Sequence, residues 1–172
     1  MPVLEGSRLG DLNNIMISEH FRLSEFECMG RSCCGYAVKV EPLLIEWLER
    51  LRAALSEKFG REVPLRITSG YRCPEHNLAV GGVTHSMDPL DTRNSFHCQG
   101  MAADVASPGL EKELIARVAV AIGIPRVGFY QRRSGDGTSH NVVHLDIADP
   151  AAIGTPAVFG SGWGPNIPRR SG

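Results

Sequence analysis

Between Pro42 and Phe59 apolar residues recur at three- and four-residue steps. Leu44, Trp47, Leu48, Leu51 and Leu55 fall on one stripe, with Glu46, Glu49, Arg50 and Arg52 off it. That period predicts an amphipathic helix, opened by Pro42 and stopped at Gly60. A second stripe, Leu110, Leu114, Ile115, Val118 and Ile122, predicts a helix that starts at Ser107-Pro108 and ends at Gly123. Elsewhere the rhythm changes. Residues 64–69 alternate like a half-buried strand, and 101–106 read as a buried one. Residues 126–131 and 141–147 are β-rich runs around the turn signal Asp136-Gly137, which predicts an antiparallel hairpin. Pro74 to Val80 fits a short helix halted by Gly81 and Gly82, and the polar, aperiodic stretch 83–94 fits a loop. Helices and strands are segregated rather than alternating, so the expected class is α+β: a small, mainly antiparallel sheet with flanking helices. Residues 1–17 are expected to be an arm, 18–149 the domain, and the Gly- and Pro-rich 150–172 a tail on the surface.

Composition narrows the function without naming it. The chain has 172 residues, enough for one domain with one core, and a formal net charge of −1. That balance gives no basic face for nucleic acid, so no nucleic-acid partner is expected. No apolar run approaches the roughly 20 residues of a membrane span. The first residues lack the charged start and apolar stretch of a secretory signal, so the expectation is a protein made in the cytoplasm. A substrate outside the cell would then need separate delivery, and a monomer is expected. Cysteines number five, with Cys28, Cys33 and Cys34 close together and Cys73 and Cys98 standing alone. Their spacing does not match paired C-x2-C motifs, so reduced cysteines packing as small hydrophobes are expected, with a disulfide or metal knot as the alternative.

The chemistry concentrates in residues 95–104 and 141–147. Asp104 is flanked by Ala102, Ala103, Val105 and Ala106, and a carboxylate there is costly to bury unless it is paired or bound to a cation. His97 is expected at the end of the loop before it, with Gly100 allowing a sharp turn that lets both side chains converge. His144 is polar inside another apolar strand, and alternation puts Val142, His144 and Asp146 on one face. A His/Asp/His set would leave the fourth tetrahedral corner of a zinc ion open, as in catalytic sites. The competing reading is that these are core residues with their hydrogen bonds satisfied.

The pattern of Ser95, His97, Gly100, Ala102 and Asp104 followed by a later histidine resembles the M15 family of zinc peptidases. These are D-alanyl-D-alanine carboxypeptidases and phage endolysins that share a fold with the Hedgehog signalling domain. The likeness extends to Ser18–Cys28, to Ser69, Tyr71, Arg72, Asn77, Val80 and Gly82, and to Val127–Tyr130 with Val143–Asp146, covering roughly residues 18–147. The resemblance implies one zinc per chain on His97, Asp104 and His144, and a substrate among the stem peptides or cross-bridges of peptidoglycan. It also implies that Arg72 holds a substrate carboxylate or polarises the scissile carbonyl, and that Ser95 bonds the zinc site or the substrate. Two positions depart from the pattern. Where many members carry an acidic base this chain has Asn141, and where others carry a histidine it has Val142. Asp146 is therefore the first candidate base, with a role in fixing a ligand imidazole as its alternative, and His140 is the second candidate. The loop 83–94 is longer than its counterpart, and its His85, Asp88 and Asp91 are expected to be solvated. A non-catalytic zinc module that binds cell wall or a protein partner is the rival reading. A thiol enzyme using Cys98 leaves the neighbouring Asp104 unexplained.

Overall fold

The computed structural model describes residues 12–30, 32–129 and 142–160. After a 3-10 turn at Leu23–Phe26, the elements run α1 (Pro42–Phe59), β1 (Arg66–Ser69), α2 (Pro74–Ala79), α3 (Phe96–Gln99), β2 (Ala102–Ala106) and α4 (Lys112–Ile122). They continue with β3 (Arg126–Gly128), β4 (Val143–Asp146), α5 (Pro150–Ile153) and β5 (Val158–Phe159). The five strands form one sheet in the order β1-β2-β4-β3-β5, antiparallel except for the β3–β5 pair. The α+β expectation holds.

α1 spans the residues its stripe defines, and Gly60 closes it in the left-handed region. Leu44, Leu48, Leu51 and Leu55 are all but completely buried, and α1 packs against α4. Ser18 and His20 both bond the Glu49 carboxylate, which staples the start of the domain onto α1. The second helix starts later than its sequence suggests. The Ser107 hydroxyl donates to the Pro64 carbonyl at 2.6 Å instead of capping a helix. Gly109 then turns the chain, Leu110 is buried, and helical backbone begins only at Lys112.

The sheet separates packing from chemistry. Ala103 and Val105 on β2, Val143 and Leu145 on β4, and Val127 with the following Phe129 are buried in the core. The alternate positions face the other way, because successive side chains of a strand point to opposite sides. The register aligns Asp104, His144 and Gly128 in one row across the three strands, and Ala102, Asp146 and Arg126 in the next.

As far as residue 160 the C-terminal stretch is more ordered than a tail, though it lies at the surface. Residues from Asp149 onward read as a surface tail, but Asp149 caps α5 and Val158–Phe159 add a parallel strand beside β3. Two residues show no period, so nothing in their local sequence announces the pairing. The hairpin expectation holds for the β3–β4 pairing, while its Asp136-Gly137 turn lies outside the described residues.

Candidate metal centre

Each donor of the expected set reaches the same place by a different local device. Asp104 and His144 are direct cross-strand neighbours on β2 and β4, so the antiparallel ladder brings their side chains together. His97 is not at a loop end; it lies in the one-turn helix α3. The Ser95 hydroxyl accepts the His97 N–H at 3.4 Å, capping that turn. Gly100 ends it at φ 73, where a Cβ would lie 2.7 Å from the Lys39 carbonyl oxygen. Only glycine fits that return of the chain into β2.

The three donor atoms form a small triangle. His97 Nε2 lies 3.2 Å from His144 Nδ1 and 3.4 Å from Asp104 Oδ1, and His144 Nδ1 lies 2.9 Å from the same oxygen. Zinc bonds of about 2.0–2.1 Å in a tetrahedron set donors about 3.3 Å apart, so the triangle suits one face of such an ion. The far atoms of the three groups are also held. His97 Nδ1 donates to the Gly70 carbonyl at 2.7 Å, which leaves Nε2 with its lone pair. His144 Nε2 faces Asp146 Oδ2 at 3.1 Å, so the neutral ring turns the Nδ1 lone pair inward. Asp104 Oδ2 accepts from Arg72 at 2.7 Å, which directs Oδ1 to the triangle. Three lone pairs thus converge on one point, an arrangement that repels itself unless a cation or proton occupies it.

Electrostatics put on His144 the proton that this convergence calls for when no cation is bound. Burial pushes the His97 imidazole below its ordinary range and keeps it neutral, as a ligand must be. Burial would push His144 down as well, but its hydrogen bonds to Asp104 and Asp146 outweigh it and raise the ring to about 9. Asp104 is held well below the usual carboxylate range, because the two imidazoles outweigh its desolvation.

These donors line an open cleft of about 620 Å³, together with Arg72, Ser95, Val142 and Phe159. Arg72 donates to Ser69 Oγ at 2.8 Å as well as to Asp104, and its own N–H bonds the His97 carbonyl. Asp146, the first candidate base, does not reach the cleft. It is completely buried behind His144 and accepts from Arg126 at 2.7 Å, its cross-strand partner. Alternation put it on the correct face of β4 but could not show that a second row lies under cover. Among the described residues, Asp104 is the one carboxylate lining the cleft. Asn141 and His140 lie outside the described residues.

The sequence did not reveal Arg126, the Gly70 carbonyl or Phe159 as parts of the site. The Arg126 guanidinium stacks on the Phe159 ring at 4.4 Å, and that ring meets His144 edge-on at 5.7 Å. An arginine opening the apolar run Arg126–Phe129 was the available signal. Phe159 gave none, coming from the misread tail. In the loop 83–94, His85 and Asp88 are exposed as expected. Asp91 is not merely solvated, for it accepts from Ser86 and Arg93 and folds the loop on itself. The buried Asn94 side chain bonds the backbone of His85, Ser86 and Asp88.

An open cleft with two imidazoles and a carboxylate converging in it has a donor set that could hold a metal ion, as the sites of metallohydrolases do. Residues 19–146 match the Peptidase M15 family, and the chain belongs to that family of metallopeptidases. No curated relative matches the chain.

Proposed function

We propose that the protein is a zinc-dependent peptidase that hydrolyses peptide bonds in bacterial peptidoglycan, with zinc held by His97, Asp104 and His144. The observation that carries this reading is the convergence of three lone pairs whose opposite atoms are each fixed by Gly70, Arg72 or Asp146. Zinc in such a site supplies Lewis acidity toward a carbonyl oxygen and brings the pKa of water toward 7. The chain's own residues do the rest. Arg72 stands on the cleft floor as a permanent cation, suited to a substrate carboxylate or to charge developing on the carbonyl oxygen. Ser95 fixes the turn that carries His97 and lines the cleft beside it. Asp146, held by Arg126, orients the His144 ring instead of taking a proton from water. The described cleft residues then offer no second carboxylate to take the proton, and His140, two residues before Val142 in sequence, is the candidate.

The decisive experiment incubates purified protein with peptidoglycan and counts new amino termini. The expected result is release that a chelator abolishes and added zinc restores, with His140→Ala slowing it far more than Asp146→Asn. Analysis of the released peptides separates carboxypeptidase from endopeptidase action. The lack of a second carboxylate on the described cleft wall favours one other reading, a zinc module that binds cell wall or a partner without cutting. Stoichiometric zinc with no new amino termini would select it.

A further inference from the structure

A second group of potential ligands lies away from the cleft. Cys73 does not stand alone as its sequence position suggests. Its sulfur and those of Cys28, Cys33 and Cys34 all lie within 4.8 Å of one another. None of the four is disulfide-bonded. Cys33 Sγ is 3.7 Å from Cys28 Sγ and 3.6 Å from Cys34 Sγ. Four thiolates bonded to zinc at about 2.3 Å sit about 3.8 Å apart at the corners of a tetrahedron, so the group already has close to the required size.

The surroundings also suit sulfur ligands. The Cys73 N–H donates to Cys28 Sγ at 3.4 Å, and the His76 N–H donates to Cys73 Sγ at 3.4 Å. Amide donors to sulfur stabilise the thiolate form. Gly30 lets the loop close, since a Cβ there would collide with Cys33 Sγ. Burial raises the thiols of Cys33 and Cys34, and their sulfur neighbours raise Cys33 further. Cys28 is buried too, yet backbone amides of Cys73 and Gly30 bring it down. Four sulfurs this close cannot all ionise in each other's company without a cation between them.

We propose that Cys28, Cys33, Cys34 and Cys73 form a structural zinc site, closed by four protein ligands and independent of the cleft. Its role follows from where it sits. The described residues between 27 and 41 form no helix or strand, and beside them Cys28, Tyr71 and Cys73 make a small buried cluster with Cys33, Cys34 and Ala37 packed against it. Val38 and Val40 pack on the main core, and the cysteine-bearing part of the segment, whose own buried cluster is small, would be held by a metal tie. It also clamps the segment to the corner between β1 and α2, one residue from Arg72, where the Tyr71 N–H already bonds the Phe26 carbonyl.

The test is a metal count on the full chain purified under reducing conditions, combined with zinc X-ray absorption. Doubly substituted His97→Ala/His144→Ala protein should keep one zinc per chain, with sulfur neighbours at about 2.3 Å. Cys33→Ser/Cys34→Ser protein should lose that zinc. Unsubstituted protein loaded with cobalt should show intense thiolate-to-cobalt charge-transfer absorption, which decides the matter even if the serine variant fails to fold. A cleft that binds no zinc would leave these sulfur signals intact, so the two assignments fail separately. Native protein without sulfur-bound metal, intact mass showing a disulfide among these four, or a folded serine variant that keeps its sulfur-bound zinc would each overturn the proposal.

Discussion

The cleft and the cysteine cluster assemble metal-type donors by opposite means. The cleft takes its donors from rigid elements: two facing positions of an antiparallel ladder and one capped helical turn. Each donor has a partner behind it, and a fourth corner of an ion held there would face the open cleft. The cluster draws three donors from a loop and one from a helix N-terminus, and on a tetrahedral ion would fill all four corners with sulfur. The contrast shows how position divides two jobs. Where the sheet already fixes the side chains, a metal is free to do chemistry on an exposed side. Where little else holds the chain, a metal would have to hold it, and no corner is left over.

Removing a cleft donor should have the largest effect. Asp104→Ala or His144→Ala should reduce peptidoglycan hydrolysis to background while leaving metal at the cysteines untouched, as read by amino-terminus release and a metal count. Hydrolysis surviving in either variant would detach the triangle from catalysis. Acidification comes next. Zinc must displace a proton from His144, whose ring is raised to about 9. Below that pH the cleft's affinity should therefore fall about tenfold per pH unit, about a hundredfold between pH 8 and pH 6. Competition with a chelator of known pH dependence measures it, and a flat profile would contradict the assignment. Third, Asp146→Asn should weaken cleft zinc by about 10- to 100-fold, because the partner that turns the His144 ring is gone. The same variant leaves Arg126 buried without its anion, so the metal-free protein should lose about 3–5 kcal/mol in denaturant unfolding. Unaltered zinc affinity would make Asp146 purely structural. The smallest effect belongs to Ser95→Ala, which removes the cap over His97. It should lower stability by about 1 kcal/mol and leave the cysteine cluster's metal unchanged.

Legibility in the sequence followed the range of the interactions. α1 could be read to its ends because its stripe, Pro42 and Gly60 are all local signals. Asp104 and His144 stood out because each is a polar residue set among apolar strand neighbours. Their common cation was accessible only through motif resemblance, since the β2–β4 register joins positions 40 residues apart. Asp146 illustrates the limit. Its face was correct, but Asp146 is fully buried against Arg126, which itself stacks on Phe96 and Phe159, and no periodicity encodes that cover. Cys73 is the same case at longer range: spacing rules examine neighbours, and its sulfur partner Cys28 lies 45 residues earlier. Ser107 failed differently, since a good capping residue was recruited by the Pro64 carbonyl instead.

The parallel pairing of β5 with β3 has a practical corollary. The family likeness stops at residue 146, whereas Val158 and Phe159 still pair with Val127 and Gly128, and the Ala157 and Phe159 carbonyls accept the Val127 and Phe129 N–H groups. A chain trimmed to the family's extent would turn β3 into an outer strand with bare amides and strip the ring from over Arg126. Such a fragment would invite edge-to-edge association, and any inactivity it displayed would say little about the residues it still contains.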